Sequence, residues 1–184
     1  PVGDWQVEWK WDGIRAQLIR RQDQVFLWSR GEELIGSQFP ELQTAAEQLP
    51  DDCVLDGEIL ARRDGSPLTF SALQRRIGRK KPGKKTLSDY PVIFRAYDLL
   101  EIDSIDIRSQ SQASRRARLE GLADTFPALF SISEIVQAPD WQALANVRLQ
   151  SRERRVEGFM LKRLDAAYGT GRTRGIWWKW KIEP

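Results

Sequence analysis

The chain has 184 residues, 41% of them apolar and 30% charged, with 29 Lys and Arg against 26 Asp and Glu, and its mean hydropathy is −0.52. That length suits one domain with a true core, burying ~70% of the unfolded surface, and no apolar run approaches the ~18 residues a membrane span needs. There is no histidine and only one cysteine, Cys53, so zinc sites, disulfides, Ser-His-Asp triads and Cys-His dyads built from this chain alone are excluded, leaving Lys, Arg, Asp, Glu, Ser and Tyr for any chemistry.

Runs rich in Val, Ile, Phe and Trp alternate with helical periodicity. The pattern predicts a strand over Val7 to Leu18 and, after the turn Arg21-Gln22-Asp23-Gln24, a second over Val25 to Ser29. A helix follows over Pro40 to Leu49, with Ser37 or Gln38 before its proline start and Leu42, Ala45, Ala46 and Leu49 on one face. Then come a strand over Val54 to Ala61, a helix over Ser71 to Ile77 closed by Gly78, a strand over Val92 to Leu100 and a helix over Ala113 to Ala123. An Asp140-capped helix runs from Trp141 to about Arg152, and strands over Glu157 to Lys162 and Ile176 to Lys181 complete the chain. Short turns between strands favour antiparallel sheets, so the expected class is α+β.

Charge is nearly balanced but unevenly spread. Residues 74 to 86 hold Arg75, Arg76, Arg79, Lys80, Lys81, Lys84 and Lys85 with no acid, whereas residues 41 to 60 hold six acids and no base. The basic run fits a polyanion-facing surface, and with Pro82-Gly83 in its middle it equally fits a solvated loop.

The first strand reads Glu8-Trp9-Lys10-Trp11-Asp12. Strand side chains alternate, so Glu8, Lys10 and Asp12 are expected on one face and the tryptophans on the other. An outward charge ladder over inward tryptophans would look the same. Trp178-Lys179-Trp180-Lys181 repeats the device, and cation–π decoration of a surface explains it as well as function does. If both strands line one cleft, a lysine is set among other cations, the environment that favours a neutral, nucleophilic amine. Asp56 and Glu58 share a strand face by their spacing of two, and strand carboxylates without His or Cys suit Mg²⁺, a hard ion that takes oxygen ligands. Glu157 and Lys162, five apart, would face opposite ways unless a bulge near Gly158 intervenes.

Lys10-Trp11-Asp12-Gly13-Ile14-Arg15 resembles the Lys-x-Asp-Gly-x-Arg nucleophile motif of covalent nucleotidyltransferases, and Glu8 two residues upstream matches the form seen in ATP-dependent DNA ligases. Further segments resemble the family's other motifs in order: Ser29-Arg30-Gly31, Leu55-Asp56-Gly57-Glu58, Phe94-Arg95-Ala96-Tyr97-Asp98-Leu99, Glu157-Gly158-Phe159-Met160-Leu161-Lys162 and Trp177-Trp178-Lys179-Trp180-Lys181. Tyr97 stands where Phe is commoner, and Trp9 and Trp11 where Tyr is usual.

The resemblance implies an adenylation domain with two antiparallel sheets flanked by helices, an ATP-grasp-like nucleotidyltransferase fold. Lys10 would take AMP from ATP as a lysyl phosphoramidate and pass it to the 5′-phosphate of nicked double-stranded DNA. Glu8 would read the adenine amino group, Arg15 and Arg30 would bind ribose or phosphate, and Tyr97 would stack on adenine. Glu58 would hold the ribose or a metal-bound water, Glu157 would bind Mg²⁺, and Lys162, Lys179 and Lys181 would contact phosphates. Arg75 to Lys85, with Arg172 and Arg174, become candidates for DNA phosphate contact. An RNA ligase or capping guanylyltransferase shares Lys-x-Asp-Gly, and a noncatalytic nucleic-acid-binding module would explain the basic run alone. The chain begins at Pro1 and stops at Pro184 directly after a dense motif, so it is expected to be a monomeric, intracellular domain cut from a longer ligase, without its oligonucleotide-binding and N-terminal DNA-binding domains.

Overall fold

The computed structural model describes residues 1–171 and 174–183. In chain order its elements are β1 (Trp5–Trp11), β2 (Ile14–Arg21), β3 (Gln24–Ser29), α1 (Pro40–Ala46), β4 (Cys53–Arg63), β5 (Ser66–Pro67), α2 (Phe70–Ile77), α3 (Lys84–Asp89), β6 (Val92–Ile102), β7 (Ile105–Asp106), α4 (Gln112–Gly121), β8 (Phe130–Ile132), α5 (Trp141–Arg148), β9 (Val156–Arg163) and β10 (Trp177–Lys181). The class is α+β, as expected. A small antiparallel sheet has the order β1-β9-β10, and a larger one runs β3-β2-β4-β6-β7, with β5 added to β4 and β8 lying parallel to β6.

Each sheet has its own core. Leu18, Leu27, Leu55, Ile59, Phe94 and Leu99 of the large sheet pack with Phe39, Leu42, Leu73 and Leu119, drawn from the helical layer or its edges. Val7, Trp9, Phe159 and Leu161 of the small sheet pack with Leu144 of α5. Each such side chain contributes about 1.5–3 kcal/mol by leaving water. The face of each sheet opposite its helices is thereby free to look across at the other.

Two backbone features depart from simple alternation, and both shape that facing space. The single strand expected over Val7 to Leu18 is two strands in different sheets, broken at Asp12-Gly13. A Cβ on Gly13 would stand 2.3 Å from the Ile59 carbonyl oxygen, so the chain can cross from one sheet to the other this close to β4 only without a side chain. Asp12 is consequently exposed, though still near enough to Lys10, Glu157 and Lys181 to feel their charges. The bulge near Gly158 is present: Trp9 pairs with Phe159 but Trp11 pairs with Val156, so Lys10 opposes both Glu157 and Gly158. Gly158 has φ +121°, and the extra residue brings Glu157 and Lys162 to the same face of β9.

Helix ends differ by a few residues from expectation. α1 starts behind Phe39 with no side-chain cap, whereas Asp140 caps α5 as predicted, its carboxylate accepting from the Ala143 N–H at 2.8 Å. The basic run is not one loop. Its second half forms α3, and Arg76 is fully buried, its guanidinium donating to both Glu41 carboxylate oxygens and to the Gln38 and Tyr90 carbonyls. Arg76 therefore leaves the set of expected DNA contacts: as the anchor of α2 it has no surface to offer. Arg75, Arg79, Lys80, Lys81, Lys84 and Lys85 are exposed.

Candidate active site

An open cleft separates the two sheets. The small sheet contributes Glu8, Lys10 and Trp11 from β1, Met160 and Lys162 from β9, and Trp177 and Lys179 from β10; the large sheet contributes Arg15 from β2, Glu58 from β4 and Tyr97 from β6, and Arg30 follows β3. Eight of the expected site residues, scattered from position 8 to 179, thus meet in one space. Glu157 and Lys181 join it through ion pairs: Glu157 accepts from Lys10 Nζ and, at 3.3 Å, from Lys181 Nζ.

The electrostatics divide the cleft. Toward the open side stand Lys10, Arg30, Lys179 and Lys181. Burial and the positive charges of Lys10, Arg30 and Lys181 lower the Lys179 pKa, the signature of cations crowded beyond what nearby acids neutralise, and a field that attracts an anion. Burial pushes Glu157 up, but hydrogen bonds and charge from Lys10 and Lys181 outweigh it and hold its pKa below the usual value. Glu58 is driven the other way. Burial, reinforced by Asp56 and only partly offset by Lys10 and Arg15, raises it to about 8.

The inner end is polar and buried. Glu8 is 1% exposed, and its Oε2 meets Lys162 Nζ at 2.7 Å and accepts from Gln6. Its Oε1 is buried without a hydrogen-bond partner, the Arg116 guanidinium standing at 3.6 Å as an ion-pair contact too long for a hydrogen bond, so this acceptor can still take a donor. Lys162 is not a free phosphate ligand here. Its ammonium lies over the rings of Tyr97 and Trp177 at 4.5 and 4.6 Å and donates to the Tyr97 carbonyl at 3.3 Å. The Trp11 indole donates to Ser133 Oγ at 3.1 Å and is covered by the Arg95 guanidinium at 4.3 Å, which fixes one wall.

Beneath the cleft, Arg15 grips the fully buried Asp56 through Nε and Nη2 at 3.2 and 2.7 Å, and the Tyr168 hydroxyl donates to the same carboxylate at 2.7 Å. Asp98, also buried, is held bidentately by Arg115 at 2.8 and 3.0 Å. Sequence reasoning missed Tyr168, Ser133 and Arg115. Their partners lie 112, 122 and 17 residues away, and no local spacing marks them.

None of the basic run lines the cleft. Arg75 is held against Tyr90, donating to its hydroxyl at 2.7 Å, and Arg79 donates to Thr86 Oγ1 at 3.3 Å. Arg174 is exposed, and Arg172 lies outside the described residues.

Two carboxylates, Glu58 and Glu157, flank Lys10, and among the described residues no three acids gather as a ready-made metal cage. That donor set fits Mg²⁺, which is commonly held by one or two carboxylates together with substrate phosphates and waters.

Residues 2–181 match the model of the ATP dependent DNA ligase domain. A probable DNA ligase of Koribacter versatilis is 33% identical over 96% of this chain and 34% of its own length, and one of Opitutus terrae is 36% identical over 94% of this chain and 20% of its own. Among solved structures, a mycobacterial DNA ligase D complexed with ATP and MES superposes with a TM-score of 0.76 at 32% identity, covering 95% of this chain and 53% of that one. The chain spans about a third or less of these two relatives' length. With nearly its whole length matched and the family's motifs converging on one cleft, the chain belongs to the ATP-dependent DNA ligase domain family.

Proposed function

We propose that this chain is the adenylation domain of a longer ATP-dependent DNA ligase and that Lys10 is its nucleophile. The observation that carries this reading is the position of Lys10, on the wall of a cleft whose inner end offers an open carboxylate acceptor and whose outer end is cationic. A nucleotide fits that polarity. The adenine amino group would donate to Glu8 Oε1, Tyr97 would cover one face of the base, and Arg15 and Arg30 would take ribose and α-phosphate. Lys179 and Lys181 would draw the β- and γ-phosphates, and Lys162 would support the site by holding Glu8 in place.

In the reaction, the Lys10 amine attacks the α-phosphorus with its nitrogen lone pair, the N–P bond forms as the bond to the bridging oxygen breaks, and pyrophosphate leaves and takes up the proton that the nitrogen sheds. Glu157, hydrogen-bonded to Lys10 Nζ, orients the amine. Mg²⁺ held by Glu58 and Glu157 would neutralise charge on the phosphates. The rest of the work is positioning and electrostatic complementarity, which explains why no histidine is required. AMP would then pass to the 5′-phosphate of nicked double-stranded DNA, and the 3′-hydroxyl would displace it. The exposed Arg75, Arg79, Lys80, Lys81, Lys84, Lys85 and Arg174 are proposed to contact DNA phosphates in the longer protein, acting as a monomer inside the cell. No helix among the described residues is long and apolar enough to cross a membrane.

Mass spectrometry of the chain after incubation with ATP and Mg²⁺ tests the central step. The expected result is one AMP adduct on the peptide carrying Lys10, absent with GTP and absent in Lys10→Ala. An adduct persisting in Lys10→Ala would move the nucleophile elsewhere.

A further inference from the structure

We propose that Tyr168 is a positioning residue that sets the Arg15 guanidinium for the nucleotide, an inference that rests on reading the inter-sheet cleft as the ATP site. Tyr168 belongs to none of the motifs that identify the family. It lies on the connection between β9 and β10, yet its hydroxyl reaches Arg15 and Asp56 beneath the cleft.

Three groups close a ring there. Arg15 donates from Nε and Nη2 to the two Asp56 oxygens, Tyr168 donates its one proton to Asp56 Oδ2 at 2.7 Å, and the same hydroxyl oxygen accepts from Arg15 Nη2 at 3.1 Å. Asp56 is fully buried, so its oxygens depend on these donors. A bidentate fork fixes the guanidinium plane. The hydroxyl on Nη2 holds that plane from a second direction, and Nη1, which makes no hydrogen bond among the described residues, remains for a ligand. Arg15 is the one residue of this ring that lines the cleft.

Tyr168 is itself held firmly enough to act as a reference point. Its N–H donates to the Arg108 carbonyl at 2.8 Å, and the strand end before it is clipped to the start of α4 by Gln112 N–H to Ala166 and Ala113 N–H to Leu164. Its ring meets Trp177 edge-on at 5.8 Å and lies under the Arg115 guanidinium at 5.7 Å. Arg15 in turn lies over Trp177 at 5.7 Å. Burial and the Asp56 charge raise the phenol pKa above its ordinary value, so the hydroxyl keeps the proton it donates.

Tyr168→Phe removes the hydroxyl and keeps the ring packing. In self-adenylation with ATP and Mg²⁺, the expected result is a rise of about tenfold in the ATP concentration giving half-maximal rate, the effect of one hydrogen bond, with the maximal rate changed less than about twofold. In an Arg15→Lys background, already weakened toward ATP, adding Tyr168→Phe is expected to change half-saturation by less than about twofold, because two changes acting through one group do not add. A structural role alone would give equal losses in both backgrounds, and that result overturns the proposal. Unaltered half-saturation in Tyr168→Phe, alongside a weakened Arg15→Lys, refutes Tyr168 alone. Unaltered half-saturation in Arg15→Lys refutes the assignment of Arg15 to the nucleotide, and with it the route by which Tyr168 acts.

Discussion

Replacing Glu58 with Gln should change how the stability of this domain depends on pH. The Glu58 carboxyl is drawn up to about 8 from an ordinary 4.5, chiefly by burial, so in the folded protein it is neutral at pH values where the unfolded chain has lost the proton. The folded state then binds more protons than the unfolded one, and the sign follows. The stabilisation is fully present below pH 4.5 and is lost as pH rises from 4.5 to about 8. The gap corresponds to on the order of 5 kcal/mol across the full span. Gln has nearly the same shape and no charge to desolvate, so Glu58→Gln escapes the loss, while titrating groups that do not feel the Glu58 charge cancel in the comparison. With ~2 kcal/mol per molar urea for a domain of this size, the urea midpoint of the variant should gain about 1 to 2 M on the parent between pH 5 and pH 8 in metal-free buffer. Above about pH 8 the gap should stay level. A constant difference between the two proteins from pH 5 to pH 9 would show that Glu58 is well solvated and would refute the reasoning.

Gly158→Ala should destabilise the domain by roughly 3 kcal/mol, because φ is +121° and the new Cβ would lie 2.2 Å from the Trp180 carbonyl oxygen of β10. Thermal unfolding reads the loss, and an unchanged midpoint would mean that the bulge relaxes freely. The basic run should split into two kinds of residue. Arg76→Ala takes from Glu41 of α1 its partner on α2 and should cost roughly 3 kcal/mol. Replacing Lys80, Lys81, Lys84 and Lys85 together by Gln should leave the unfolding midpoint and self-adenylation nearly unaltered while flattening the salt dependence of nicked-DNA binding by the longer protein, by ~0.9 in slope for each DNA phosphate that is no longer neutralised. Equal falls in stability in the two variants, or an unaltered salt slope, would refute the division.

The succession Lys10-Trp11-Asp12-Gly13-Ile14-Arg15, the two Trp and Lys alternations and the spacing of Asp56 and Glu58 are local facts, and alternation along a strand was enough to say which side chains could share a face. Composition excluded histidine and thiol chemistry, and the motif order identified the family. Alternation cannot report where a strand stops belonging to one sheet. Val7 to Leu18 looks continuous, and only the approach of Gly13 to the Ile59 carbonyl shows that Lys10 and Arg15 stand on opposite walls of a cleft. A bulge near Gly158 was foreseeable as the way to bring Glu157 and Lys162 together, but its register is set by pairing with β1. Arg76 is indistinguishable in sequence from the exposed Arg75 beside it. Helix geometry turns one outward and the other onto Glu41, 35 residues away. Tyr168 was silent for the same reason: its role is a contact across 112 residues with a carboxylate buried by strands from elsewhere in the chain. Sequence records the periodicity of each element, whereas burial and charge pairing between distant elements arise only when the sheets pack, and these decided which charges line the site and which hold it together.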